Sequence, residues 1–132
     1  MLTFSATFRI MGEALSPPDV SRLLGLAADE AHVKGEPRVG SAGRRYADYA
    51  EGFWCLESDL PQTASVDDHV RALASKLLGH EGALKGLRAQ GYRMDIFVGI
   101  FGIDGNASVR LSPSTMGLLG RLQLDLDLDL YG

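Results

Sequence analysis

The chain begins and ends on strict two-residue alternation. Leu2, Phe4, Ala6, Phe8 and Ile10 alternate with Thr3, Ser5, Thr7 and Arg9, and the tail reads Leu-Asp-Leu-Asp-Leu-Asp-Leu from Leu124 to Leu130. Successive side chains of an extended strand point to opposite faces, so a strand sorts these residues into one apolar and one polar row, whereas a helix would scatter both around its circumference. Two such segments require a sheet with one face in a core and the other face polar. The tail therefore reads as a closing strand whose leucines face the core. Its carboxylates Asp125, Asp127 and Asp129 then share the opposite face at intervals of about 6.6–6.8 Å. Carboxylates that far apart hold a cation only if another segment adds oxygen ligands, and repeated charge on an edge strand also discourages edge-to-edge aggregation.

At 132 residues and 14.2 kDa, with 45% hydrophobic residues, the chain is expected to form a single globular domain over residues 1–132. A chain of this size buries about two-thirds of its unfolded surface, so neither disulfides nor a structural metal is needed to hold a core. The composition also excludes intrinsic disorder. A net charge of −4 and a pI near 5.3 argue against nucleic acid or an anionic membrane as partner, because both are bound through excess basic charge. Cys55 is the sole cysteine, which rules out an intramolecular disulfide and a cysteine-rich zinc site and fits a cytoplasmic protein. The opening segment lacks a basic region followed by an apolar run, and no stretch approaches the roughly eighteen apolar residues of a membrane span; neither a signal peptide nor a membrane helix is expected.

Between the terminal strands the pattern changes to helical spacing and back. Ser16-Pro17 predicts a short helix, with Ser16 as N-cap, Asp19 completing a capping box, Val20, Leu23 and Leu24 inward, and Gly25 at its end. A weak strand is expected near Ala31–Lys34, then a long loop or irregular hairpin over residues 35–50. Phe53-Trp54-Cys55-Leu56 is apolar on both faces, as in a strand well inside a sheet. Ser65 caps the longest predicted helix, with Asp67 and Asp68 in its first turn, an apolar face of Val66, Val70, Leu73 and Leu77, and Gly79 as its stop. A second helical piece carries Leu84 and Leu87 and stops at Gly91. Residues 92–101 alternate through Met94, Ile96, Val98 and Ile100, and Asp104-Gly105 predicts a hairpin turn into a strand holding Ala107, Val109 and Leu111.

Leu111-Ser112-Pro113 then repeats Leu15-Ser16-Pro17, with Met116, Leu118 and Leu119 in the places of Val20, Leu23 and Leu24, and Gly120 matching Gly25. The expected fold is α+β: a mostly antiparallel sheet with helices packed on one face, and two strand-helix-strand units that a duplication would relate. Taken in order, Phe8-Arg9-Ile10-Met11-Gly12, Leu24-Gly25, Lys34-Gly35, Trp54-Cys55-Leu56-Glu57-Ser58, the helix carrying His69 and the terminal Leu-Asp-Leu-Tyr resemble the bacterial domain-of-unknown-function family numbered four thousand two hundred and seventy-nine. The likeness spans nearly the whole chain. It implies a single-domain bacterial cytoplasmic protein with no established activity, and therefore supplies no catalytic residues.

The residues themselves offer few chemical constellations. Lys34, Arg38, Arg44 and Arg45 interleave with Tyr46 and Tyr49 in a glycine-rich stretch, the composition of a surface that recognises an anion, an acidic partner or a strand of nucleic acid. Glu36, Asp48 and Glu51 dilute that charge, so the same stretch also reads as an ordinary solvated loop. Arg44, Arg45, Tyr46 and Tyr49 are the candidate partner-binding residues. Asp67-Asp68-His69 is not an acid–base pair, because neighbours in a helix do not face one another, and the two aspartates suit the helix dipole. His32 and His80 lack partners at metal-ligand spacing and read as surface or loop histidines. Cys55 reads as a buried thiol without the cationic setting that activates a nucleophile, and Trp54 as core. No phosphate-binding glycine motif is present: Gly40-Ser41-Ala42-Gly43 lacks the Gly-Lys-Ser/Thr ending.

These features predict no catalytic residues, metal or cofactor. They favour a non-enzymatic binding module, of the immunity type or a partner-binding accessory, that engages a protein. The alternatives are a small-ligand binder or enzyme with a pocket between helices and sheet, using Asp95 or Asp125 to Asp129, and a structural module that self-associates as a homodimer through an exposed sheet face or edge.

Overall fold

A computed structural model describes residues 1–132. In chain order it comprises β1 (Thr3–Gly12), α1 (Pro17–Leu24), β2 (Glu30–His32), β3 (Arg38–Val39), a 3₁₀ turn (Ser41–Gly43), β4 (Arg45–Tyr46), β5 (Gly52–Glu57), α2 (Val66–Leu77), α3 (Glu81–Ala89), β6 (Arg93–Phe101), α4 (Pro113–Leu122) and β7 (Asp125–Leu130). The fold is α+β. Five strands form one sheet in the order β2-β5-β1-β6-β7, and β3 and β4 form a separate small hairpin. Every pairing in the large sheet is antiparallel except β6 with β7, which are parallel and joined through α4. A parallel pair needs a crossover of a dozen or more residues, and the segment holding α4 supplies it.

Alternation does the sorting that the sequence implies. Ala6, Phe8 and Ile10 of β1, Trp54 and Leu56 of β5, and Met94, Ile96, Val98 and Ile100 of β6 all enter one core of 22 buried residues. The helices add Val20 and Leu24 from α1, Val66, Val70, Leu73, Ala74 and Leu77 from α2, Leu84 and Leu87 from α3, and Leu119 and Leu122 from α4. Trp54 is wholly buried, meets Phe8 edge-on at 6.2 Å, and donates its indole N–H to Ser21 Oγ at 2.9 Å, so its one polar atom is satisfied. Gly52 is required by close approach: a Cβ there would lie 2.8 Å from both the Cβ and the carbonyl oxygen of Leu15.

Four expectations need correction. Residues 106–111 form no strand; the hairpin partner that the turn implied for them is β6, which already pairs with β1 on one side and β7 on the other. Ser16 makes no side-chain cap, and Asp19 pairs with Arg22 at 2.6 Å instead of closing a capping box. Gly120 does not end α4, which continues to Leu122 and turns out through Gln123 in the left-handed region at φ 55°. The leucines of the tail face the helix side, but only the first of them are covered: Leu124 is buried and Leu126 packs on the core, whereas Leu128 and Leu130 are 45% and 63% exposed.

Candidate functional site

The face of the sheet opposite the helices is uncovered, and strand register lines its side chains into rows. Glu30, Cys55, Arg9, Asp95 and Asp125 form one row across all five strands, and Glu57, Thr7, Phe97 and Asp127 form the next. Arg9 stands at the centre. Its Nε donates to Asp95 Oδ1 at 2.9 Å and its Nη2 to Oδ2 at 2.6 Å, a fork-to-fork geometry, and its guanidinium lies 4.4 Å over the ring of Phe97. Burial alone would push the Asp95 carboxyl up; the hydrogen bonds from Arg9 and from the Asp127 carboxyl, with the charge of Arg9, hold it below the usual carboxylate range. Asp127 moves the opposite way, raised chiefly by its hydrogen bond to Asp95 and then by desolvation and the like charge beside it. Asp127 is the member of the pair that takes up a proton first.

This pair lines a concavity of about 670 Å³ where the first residues of β6 and β7 meet the helix ends, together with Arg88, Arg93 and Asp125. The arginines there are already engaged. Arg88 donates to the Leu122 and Gln123 carbonyls at 3.1 and 2.9 Å, satisfying the end of α4, and Arg93 Nη2 bonds both Glu51 carboxylate oxygens at 2.6 and 2.7 Å. Asp125 has no cation within ion-pair distance. The concavity therefore offers carboxylate acceptors, one of them raised and one lowered from the ordinary range, rather than free basic charge. Toward the β2 edge, Glu30 and Cys55 of the first row and Glu57 of the next bring three donor atoms within 4.8 Å of one another. Burial, reinforced by the carboxylates, pushes the Cys55 thiol up to about 11. It stays protonated at neutral pH, which fits neither an activated nucleophile nor a preformed metal ligand.

The residues singled out in the basic stretch occupy the small hairpin beyond the β2 edge. Arg38 and Arg44 each approach the Tyr46 ring to 5.4 Å, and Arg38 lies 5.8 Å from that of Tyr49. Arg45 faces Asp48 at 3.1 Å. Arg44, Arg45 and Tyr46 are exposed, while Tyr49 is half-buried and stacks on His32 at 3.4 Å; His32 in turn stacks on Phe53 at 5.3 Å. Tyr49 is thus the anchor of the hairpin, and Arg44 and Tyr46 are its presented tip. His32 sits half-buried on β2, within the strand expected near Ala31–Lys34, and burial lowers its pKa below the ordinary imidazole value.

One pairing escaped the sequence reading. Ser58 Oγ lies 2.7 Å from His69 Nδ1 and accepts the Leu60 N–H at 3.3 Å, while His69 is 1% exposed and its Nε2 has no partner. The helical period that places Val66, Val70 and Leu73 inward places His69 with them. Without an acid behind the imidazole the pair lacks the third member that orients a catalytic dyad. Asp67, read as a helix-dipole residue, also accepts the Ser112 N–H at 2.8 Å, which ties α2 to α4 and holds its carboxyl below the usual range.

The class defined by this geometry is a small α+β domain with four helices on one face of a mixed five-stranded sheet and an open, charged second face. The family model described as a domain of unknown function, DUF4279, matches residues 2–132, and the chain belongs to that family. No significant match to a curated protein or to a solved structure was found. No helix is long and apolar enough to cross a membrane.

Proposed function

We propose that the chain is a non-enzymatic interaction module of the bacterial cytoplasm, of the immunity type, that binds a protein partner through the exposed tip of the β3–β4 hairpin and the adjoining open sheet face. The observation that carries this reading is the construction of the hairpin: Arg38 and Arg44 bracket Tyr46, and the Tyr49–His32–Phe53 stack fixes the hairpin to the sheet. Exposed arginine and tyrosine on a rigid support are the residue types that dominate binding energy at protein interfaces, because they bring large contact area with little ordering cost. The test is substitution of Arg44, Arg45 and Tyr46 together by alanine. The triple variant is expected to melt within about 2 °C of wild type, since these side chains are exposed, and to lose at least ten-fold in affinity for the partner identified by cross-linking to wild type. Undiminished affinity would overturn the reading.

A second reading has one specific observation in its favour. The Asp95–Asp127 pair, with one carboxyl raised and one lowered, is an arrangement that can exchange a proton with a small cationic ligand in the 670 Å³ concavity. Saturable binding of a small amine that is lost in Asp127→Asn would favour it over the protein-binding module.

A further inference from the structure

The two edges of the sheet are built differently. β2 is three residues long, and the chain beyond it folds into the hairpin, with Gly35 N–H bonded to the Tyr49 carbonyl. β7 is six residues long and pairs on one side only. Apart from the ladder to β6, no backbone hydrogen bond involves residues 125–130, so the outward N–H and C=O groups of this edge are unused.

The side chains of that edge are sorted as well. On the helix side, Leu128 and Leu130 are 45% and 63% exposed and join Ile100, Ile103, Ala107 and Val109 around an apolar groove of about 410 Å³. On the open side stand Asp125, Asp127 and Asp129. None of the three forms an ion pair within the chain, and Asp129 accepts only the Tyr131 hydroxyl. A strand laid along β7 would place alternate side chains over the leucine groove and over the aspartate row, within the roughly 4.5–5.5 Å of directly paired residues. Charge complementarity then sets its chemistry. A second copy is a poor occupant, because β7 against β7 sets aspartate opposite aspartate.

We propose that the free edge of β7 is a strand-addition site for an extended segment of a partner protein in which basic and apolar residues alternate. This surface lies at the opposite edge of the sheet from the hairpin and stands or falls independently of it.

The probe is the peptide acetyl-Lys-Val-Lys-Val-Lys-Val-Lys-amide, titrated into the full chain and read by fluorescence anisotropy and by amide NMR shifts. Shifts are expected to concentrate in residues 125–130 and 106–109. A peptide of the same composition with its lysines and valines in two blocks is expected to bind at least ten-fold more weakly, and the glutamate counterpart not at all. Asp125→Asn with Asp129→Asn, and separately Leu128→Asp with Leu130→Asp, are each expected to weaken the alternating peptide roughly ten-fold with the circular dichroism unchanged. The Arg44/Arg45/Tyr46 alanine variant is expected to bind it like wild type. Equal binding of the blocked peptide, shifts centred away from β7, or no binding at millimolar peptide would each overturn the proposal. So would sedimentation showing a dimer that Leu128→Asp with Leu130→Asp dissolves, which would assign the edge to a second copy.

Discussion

Arg9 shows how a residue visible as polar in the sequence acquires a role only through register. Its place in the alternation of residues 2–10 puts it on the open face, and Asp95 falls on the same face by alternation with Met94 and Ile96. That they meet is not written locally, because 86 residues separate them and the pairing of β1 with β6 sets the encounter. Opposite consequences for the two carboxylates follow. Asp95 is held below its ordinary range, so its contribution to stability is complete above about pH 4, the usual unfolded value, and is lost as pH falls through the lower folded value. Asp127 is raised, so its charge opposes folding at neutral pH and the opposition is relieved as pH falls through that raised value. Asp95→Asn leaves Arg9 without its ionic partner at a site where the guanidinium is still 27% exposed, and is expected to cost about 1–2 kcal/mol, a Tm lower by roughly 4–10 °C at pH 7. Asp127→Asn is expected to leave Tm unchanged or raise it. Calorimetry of both variants at pH 7 and pH 3 checks this, and a loss in Asp127→Asn equal to that in Asp95→Asn would show the assignment of the surplus carboxylate to be wrong.

At the scale of elements, the two Leu-Ser-Pro segments start helices with different chemistry. Ser112 accepts the Thr115 N–H at 3.2 Å and is itself fixed by Asp67, which accepts its N–H. Ser16 begins α1 with no side-chain bond, and that helix relies on Pro17 at its first position. Ser112→Ala is therefore expected to destabilise the protein by about 1 kcal/mol and Ser16→Ala by less than about 0.3 kcal/mol, measured by urea unfolding. Helix existence was legible because caps, glycine stops and apolar spacing are local signals. The strand expected at Ala107, Val109 and Leu111 failed because alternation cannot report which segment takes the place beside β6, and β7 fills it. The parallel placement of β7 was hidden for the same reason: a Leu-Asp repeat defines faces but not the direction or identity of its neighbour. The candidate site was legible only in part, since the arginines and tyrosines of the hairpin stand together in sequence, whereas Ser58 with His69 and Arg9 with Asp95 are assembled by the fold.

For the whole molecule, helices on one face alone mean that cover runs out along the tail. Leu124 and Leu126 reach the core, and Leu128 and Leu130 pass beyond it into a groove whose far wall is the 102–112 connection. That connection is weakly held. Ile103 donates its N–H to the Tyr131 carbonyl and Ser112 to Asp67, but residues 104–111 between them donate no backbone N–H and are almost all exposed. β1 and β6 stand at the other extreme: each is paired on both sides and contributes alternate residues to the core. Local opening free energies should follow that contrast, because an amide exchanges as soon as its own hydrogen bond and cover are lost. Native-state hydrogen exchange is expected to find the amides of 104–111 exchanged within seconds and those of β1 and β6 exchanging only through global unfolding. The paired amides of β7 are expected to fall between, since one ladder and part of the apolar cover hold them, and occupation of the free edge by an added strand should slow them while leaving β1 and β6 unchanged. Protection of 104–111 equal to that of β6 would mean that the groove is closed by its own loop, and no room would remain for a strand at that edge.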